Sequence, residues 1–225
     1  MIDKKVLDGL IKMITESKRE IINRVSKERT RHITVVLEDI VKEFNSSAVI
    51  RSCDCFGIQD VYIIAEKQKF EIQREIAKGS SNWVDVHAYA GNDSPTTQAI
   101  NDLKGKGYKI VATSPHTEKT IDEIPIEAPI ALVFGTERHG ISPTLLEHVD
   151  EVVKIPMYGF TESFNISVSA AIIMNQLRNK LEKSDLSWKL PDEEQTKLKI
   201  QWCTHIINNG KVVEAEIRRR ILEKE

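Results

Sequence analysis

The chain has 225 residues, of which 40% are hydrophobic and 29% are charged, values typical of a globular protein with one main domain. Its formal net charge is -2, so overall charge does not predict nucleic-acid binding. No apolar run is long enough to cross a bilayer, which argues against membrane insertion. The three cysteines lack zinc-ligand spacing and the first residues do not resemble a signal peptide. We therefore expect a reduced cytoplasmic protein without a metal site, and buried thiols at Cys53 and Cys55.

The chain begins with a predicted helical extension over residues 1–30. Apolar side chains recur at helical spacing between Ile2 and Ser26. Basic side chains are concentrated from Lys18 to Arg31, and a second basic cluster spans Arg218 to Arg220. Each cluster could contact a polyanion or form a solvated helix face.

Short β-branched runs follow, and we interpret them as strands. They are Ile33 to Leu37, Val61 to Ala65, Val84 to Tyr89, Lys109 to Ala112, Ile130 to Phe134 and Val152 to Ile155. Most are separated by amphipathic stretches, namely Ser47 to Phe56, Thr96 to Lys106, Pro143 to His148 and Ile166 to Leu181. This alternation predicts an α/β domain over residues 31–182, with a mainly parallel sheet and helices on both faces. A C-terminal helical extension is expected over residues 183–225.

The first candidate site segment runs from Asn45 to Gly57, where a helix is expected. Asn45 stands just before the apolar-periodic stretch, so it could cap this helix or contact a ligand. Arg51 lies amid apolar side chains on the same helix. A buried or half-buried guanidinium needs an anion, and an internal carboxylate or a bound phosphate would serve equally well.

The second candidate segment follows the strand that ends at Phe134. Gly135 is expected at the carboxyl end of that strand, where open α/β sheets hold their ligands, although a plain strand-to-loop glycine is the alternative. Glu137, Arg138 and His139 would be displayed on the loop. Neither a dinucleotide fingerprint nor a P-loop occurs in the chain, which argues against nucleotide cofactors of those kinds.

The third candidate segment runs from Ile155 to Ala171 and joins a strand to a helix. Gly159 permits unusual backbone angles, and Ser163 or Asn165 can offer side-chain hydrogen bonds where the helix begins. Ser163 lacks the sequence context of an activated nucleophile. The segment therefore predicts a binding loop.

Together and in this order, the three segments resemble the SpoU, or TrmH, branch of the SPOUT RNA methyltransferases. The matching blocks are Asn45-x-x-Ala48-x-x-Arg51 through Gly57, Phe134-Gly-Thr-Glu-Arg-His-Gly140, and Ile155-Pro-Met through Ser163-Phe-Asn-Ile-Ser-Val. Gly79-Ser-Ser-Asn-Trp83 resembles a further family segment. The similarity covers about Thr34 to Arg178, and the terminal helices are placed as in tRNA guanosine 2'-O-methyltransferases.

The resemblance implies an α/β knot of the deep trefoil type and a homodimer whose active site is completed across the subunit interface. It implies S-adenosyl-L-methionine as cofactor and a ribose 2'-hydroxyl of RNA as methyl acceptor, with no partner role for DNA. Cofactor-binding positions by this resemblance are Thr113, Gly135, Ile155 and Phe164.

The resemblance gives Arg51 the central catalytic role. Because arginine rarely deprotonates, we expect Arg51 to clamp an RNA phosphate and favour the developing alkoxide. The residues expected to position the cofactor loop and ribose are Asn45, Glu137, Ser163 and Asn165. Those expected to hold RNA phosphates are Arg24, Lys27, Arg29 and Arg31.

The expected substrate is tRNA, at guanosine 18 of the D-loop. The alternatives are a ribosomal RNA 2'-O-methyltransferase and a non-catalytic RNA-binding protein on the same fold. Two departures bear on the substrate: Glu43-Phe44 stands where many relatives carry Pro-His, and Phe164 replaces the usual leucine.

Overall fold

The computed structural model describes residues 2–40, 43–66, 82–91, 94–136 and 139–223. The chain divides into two compact units. A helical unit comprises Met1–Thr30 and Lys189–Glu225, and a sheet unit comprises Arg31–Trp188.

Among the described residues, the sheet unit contains six strands in the order β3-β2-β1-β5-β4-β6. They are β1 (Ile33–Glu38), β2 (Asp60–Ala65), β3 (Asp85–Ala90), β4 (Lys109–Thr113), β5 (Ile130–Phe134) and β6 (Glu151–Val153). Every pairing between them is parallel. Val35 in the central strand, for example, pairs with Val61 on one side and Leu132 on the other. The predicted α/β class and parallel sheet are confirmed.

Some helices flank the sheet, and the others form the helical unit. They are α1 (Ile2–Ile11), α2 (Glu16–Ser26), α3 (Glu43–Cys55), α4 (Pro95–Gly105), α5 (Pro143–Leu146), α6 (Ile166–Glu182), α7 (Asp192–Ile206) and α8 (Gly210–Leu222). Residues 1–30, where a helical extension is predicted, contain α1 and α2, and residues 183–225 contain α7 and α8. Between α7 and α8, Asn209 adopts a left-handed conformation with φ 54°.

Both faces of the sheet are covered, because side chains alternate along each strand. On one face Leu37 packs in a core that includes Val49 of α3 and Ile173 of α6. On the other face Val36 packs in a core that includes Leu103 of α4 and Leu145 of α5. The sheet therefore lies between two apolar cores.

The helical unit has its own interior. α1 packs against α7 and α8, and Val6, Leu10 and Trp202 are buried. Arg29 is only 1% exposed, and its guanidinium lies over the Trp202 ring, 5.1 Å from the centroid. This contact places a cation of the predicted basic segment inside the unit.

The cysteines divide by burial. Cys53 and Cys203 are buried, whereas Cys55 is exposed, so the prediction of a buried thiol at Cys55 is wrong. Burial raises the pKa of the Cys203 thiol to about 11. Within the described ranges no cluster of three metal-ligating side chains occurs, and no helix is long and apolar enough to cross a membrane.

Candidate functional site

A cleft of about 490 Å³ lies at the carboxyl ends of β4, β5 and β6. Thr113 closes β4, Gly135 follows β5 and Ile155 follows β6, and all three line the cleft together with Phe164. Open parallel sheets hold ligands at this edge, and the volume falls within the range of about 300–1,000 Å³ found for small-molecule sites. The structure thus brings together the four residues expected to border a cofactor.

The loop after β5 closes tightly on itself. Thr136 N–H donates to Gly140 O at 2.8 Å, and Gly140 N–H donates back to Thr136 O at 2.9 Å. A Cβ atom on Gly135 would lie 2.2 Å from Gly140 O, so no side chain fits there. Gly135 therefore allows the tight turn from the strand into the loop and also lines the cleft. Both interpretations drawn from the sequence, a strand-to-loop glycine and a glycine at a ligand site, apply.

The loop over residues 155–165 forms another wall. Met157, Ser163 and Phe164 line the cleft, whereas Tyr158 is 97% exposed. At the end of this loop Asn165 caps α6, because its Oδ1 accepts the N–H of Ser167 at 2.9 Å. The predicted side-chain hydrogen bond at the helix start is present.

Asn45 is joined to this loop. The Asn165 Nδ2 group donates to Asn45 Oδ1 at 3.2 Å. Helix α3 begins at Glu43, so Asn45 lies inside its first turn and the N-cap prediction is wrong. The contact instead ties the start of α3 to the start of α6.

Arg51 differs from the buried or half-buried cation that its apolar neighbours predicted. Its side chain is exposed, and it makes no hydrogen bond or ion pair with the residues that the structure describes. The alternative of an internal carboxylate partner is therefore not supported in the described part of the chain. A free guanidinium of this kind is available to an external anion.

Some predicted site residues are not among those that the structure describes. Glu137, with its neighbour Arg138, lies outside the described residues, as does most of the Gly79-to-Trp83 segment. His139 is exposed and lines the cleft. Sequence reasoning missed His116, which also lines the cleft; its place just after the predicted β4 was a usable signal.

The predicted phosphate-binding residues separate into different environments. Arg24 and Lys27 are exposed. Arg29 is buried against Trp202, so its predicted contact with RNA is wrong. Arg31 is half-buried and is bound to Asp60 at 2.9 Å and to Asp85 at 2.8 Å, so its charge is paired within the sheet unit.

The C-terminal basic cluster is neutralised by neighbouring carboxylates. Arg218 pairs with Asp3 and Glu214, and Arg219 and Arg220 both bind Glu216. Hydrogen bonds from these two arginines lower the pKa of Glu216 to about 2. Of the two alternatives for this cluster, a solvated helix face fits better.

The fold and site define an α/β protein with a ligand cleft at the carboxyl ends of neighbouring parallel strands. The chain belongs to the SpoU rRNA methylase family, whose model matches residues 32–175, and the resemblance drawn from the three segments is confirmed.

Relatives extend the match to most of the chain. It is 38% identical over 211 residues to the tRNA (guanosine(18)-2'-O)-methyltransferase of Borreliella burgdorferi, covering 93% of this chain and 95% of the relative. The crystal structure of a TrmH/SpoU tRNA modifying enzyme from Aquifex aeolicus matches with a TM-score of 0.73 and 31% identity, over 86% of this chain and 98% of that one. The AviRb methyltransferase of Streptomyces viridochromogenes, crystallised with AdoMet, is similar in fold, with a TM-score of 0.58 and 18% identity over 69% of this chain and 60% of that one.

Proposed function

We propose that the protein is an S-adenosylmethionine-dependent methyltransferase that modifies the ribose 2'-hydroxyl of guanosine 18 in the D-loop of tRNA. The observation that carries this proposal is the 38% identity, over 93% of the chain, to a relative named for that reaction. The site agrees with it, because the three sequence blocks that resemble the family line one cleft or contact its walls.

The cleft fits the proposed cofactor. It offers apolar side chains such as Ile155 and Phe164 for a purine, and polar groups such as Thr113 and the backbone around Gly135 for hydrogen bonds. When bound, S-adenosylmethionine supplies an electrophilic methyl group. The protein's part is to orient the ribose oxygen toward that methyl group and to favour loss of the hydroxyl proton.

Arg51 would bind an RNA phosphate next to the reacting ribose. Its guanidinium is permanently charged, so it stabilises a developing alkoxide electrostatically and does not itself accept the proton, which passes to solvent. The Asn45–Asn165 hydrogen bond links the helix that carries Arg51 to the loop that lines the cleft. Ser163 would orient the ribose from that loop, and Glu137 is proposed to act with it on sequence grounds.

We further propose that residues 31–182 form the knotted catalytic domain, with helical extensions over residues 1–30 and 183–225. A homodimer is supported by exposed apolar side chains close to the starts of α3 and α6: Phe44 is 88% exposed and Val168 is 42% exposed. Sedimentation equilibrium tests the dimer directly. The free thiols at Cys53, Cys55 and Cys203 agree with a reducing cytoplasmic compartment.

Substitutions at Asn165 are expected to distinguish the effect of its helix cap on stability from the effect of its hydrogen bond with Asn45 on methyl transfer. Asn165→Ser keeps an oxygen that can cap α6 but cannot reach Asn45 in the same way, so stability should stay near wild type while methyl transfer falls. Asn165→Ala removes both contacts and should also lower the free energy of unfolding by about 1 kcal/mol. Chemical denaturation and single-turnover methyl transfer measure the two effects. Equal activity in the serine variant and the wild type would remove the Asn45 contact from the mechanism.

Charge reversal on the helical unit tests the RNA contact. Arg24 and Lys27 are exposed. Lys199 of α7 lies close enough to Lys27 for the two charges to repel, and burial together with the Lys27 charge lowers the pKa of Lys199. Arg24→Glu and Lys27→Glu should each weaken tRNA binding and reduce the slope of log K against log salt by about 1. Fluorescence anisotropy across a salt series measures both quantities.

The matched control for this experiment is Lys197→Glu. Lys197 is exposed on α7 and is paired with Glu193 at 2.6 Å. The substitution changes the net charge by the same amount, so an equal loss of binding would show a general charge effect and remove Arg24 and Lys27 from the interface. Arg29→Glu is unsuitable, because a buried carboxylate there would destabilise the unit.

The function itself is tested by methyl transfer from labelled S-adenosylmethionine to unmodified tRNA, to the same tRNA with adenosine at position 18, and to ribosomal RNA. We expect label only in the first, on the 2'-oxygen of guanosine 18. Label only in ribosomal RNA would assign the alternative substrate, and cofactor-independent tRNA binding without transfer would assign a non-catalytic RNA-binding protein.

A further inference from the structure

The carboxylate of Glu38 lies at the end of β1 and is almost completely buried, with 2% of the residue exposed. It accepts two hydrogen bonds from a single residue far along the chain. Ser142 N–H donates to Oε2 at 2.7 Å, and Ser142 Oγ donates to Oε1 at 2.5 Å. Both carboxylate oxygens are therefore hydrogen-bonded to the same residue of the loop that follows β5.

Ser142 is the last residue of that loop. Its Oγ accepts the N–H of Leu145 at 3.2 Å and so caps α5, while Gly140 and Ile141 just before it line the cleft. At the other end of the loop, β5 pairs with β1, with Phe134 opposite Leu37. The loop is thus anchored at its start by strand pairing and at its finish by the residue that follows Leu37.

A buried carboxylate loses hydration, and apolar packing of similar volume often stabilises a core equally well. The Glu38–Ser142 hydrogen bonds instead place the loop precisely, because two charge-assisted hydrogen bonds fix both the distance and the direction of Ser142. The loop cannot be placed by packing of its own side chains at Gly135 or Gly140, which have none.

We propose that Glu38 is a positioning residue for methyl transfer, which holds Gly140, Ile141 and Ser142 in the positions that bind the cofactor. The inference rests on the proposed function. It concerns the strength of cofactor binding rather than the chemical step, because Glu38 contacts the loop and does not line the cleft.

The adjacent strand supplies a matched control. Glu66 directly follows β2. Its carboxylate accepts hydrogen bonds from the N–H of Thr96 at 3.1 Å and from the Oγ–H of Thr96 at 2.8 Å. The two donors are again the N–H and the hydroxyl of one residue, here at the start of α4, although both donate to Oε2 and Glu66 is exposed. Neither Glu66 nor Thr96 lines the cleft. Any effect of losing a carboxylate clamp in general should appear at both positions, and an effect on the cofactor should appear only at Glu38.

The experiment compares Glu38→Gln, Ser142→Ala and Glu66→Gln in the full-length protein. Titration calorimetry gives the Kd of S-adenosylmethionine, steady-state kinetics with tRNA give kcat and the cofactor KM, and thermal melting reports stability. We expect Glu38→Gln and Ser142→Ala to raise the cofactor Kd and KM by about tenfold, with a smaller change in kcat. Ser142→Thr, which keeps the hydroxyl and the N–H, should restore binding, and Glu66→Gln should lower only the melting temperature.

Two results would overturn the proposal. One is an unchanged cofactor Kd in both Glu38→Gln and Ser142→Ala, and the other is an equal rise in Kd for Glu66→Gln. The proposed function fails separately, if the wild-type protein neither binds S-adenosylmethionine nor methylates tRNA. A wild-type enzyme that does both, with unaffected Glu38 variants, would reject only the positioning role.

Discussion

Arg51→Ala is expected to reduce kcat/KM for tRNA methylation by about a thousandfold, which corresponds to about 4 kcal/mol of lost transition-state stabilisation. The side chain is exposed and makes no hydrogen bond or ion pair with the residues that the structure describes, so its removal should change the free energy of unfolding by less than about 0.5 kcal/mol. Cofactor affinity should also stay near the wild-type value. Single-turnover methyl transfer, calorimetry and chemical denaturation measure the three quantities.

A second variant separates charge from geometry. Arg51→Lys keeps the positive charge but loses the planar pair of donors that can hold a phosphate at two points, so its rate should lie between those of wild type and Arg51→Ala. Lys104→Ala is the control, because Lys104 is an exposed helix cation on α4, on the opposite face of the sheet from α3. Wild-type transfer by Arg51→Ala with normal tRNA affinity would exclude the phosphate clamp.

The six strands could be predicted from the sequence because their side chains are buried on both faces of a covered sheet. Such strands give continuous β-branched runs, and β1, β2 and β5 are buried at every position. The cleft was also predictable in outline, since Gly135 and Ile155 each follow such a run, and parallel strands place their carboxyl ends at one edge.

The surroundings of individual side chains were less predictable. The apolar neighbours of Arg51 in the sequence indicated burial, but α3 packs Val49 and Cys53 inward and turns Arg51 outward. Asn45 was misplaced because α3 begins before the apolar pattern does, at Glu43. One turn of helix is enough to change a cap into an internal contact.

Charged residues were misjudged where their partners are distant in the sequence. Arg29 belongs to a basic run, yet Trp202 from the other end of the chain covers it. The Glu38–Ser142 contact joins residues 104 positions apart. No local pattern of charge or hydrophobicity carries such pairings, because they arise only when the strands and helices have assembled.

Gly135→Ala is expected to have the second large effect. The new Cβ would lie 2.2 Å from Gly140 O, 2.3 Å from Gly140 C and 2.5 Å from Ile141 N, all of them backbone atoms that cannot rotate away. The loop must therefore shift, which should lower the free energy of unfolding by about 1–3 kcal/mol. Because the displaced residues line the cleft, the cofactor Kd should rise by at least about tenfold.

Gly159→Ala provides the comparison for Gly135→Ala in the other loop at the cleft. A Cβ atom at Gly159 would meet no atom within 4 Å, and its φ lies outside the left-handed region, so stability and cofactor affinity should stay near wild type. Calorimetry with S-adenosylmethionine and thermal melting test both variants under the same conditions. Normal cofactor binding by Gly135→Ala would show that Gly140 and Ile141 can move without changing the cleft. In that case neither the close contact between Gly135 and Gly140 nor the Glu38–Ser142 hydrogen bonds would control cofactor binding.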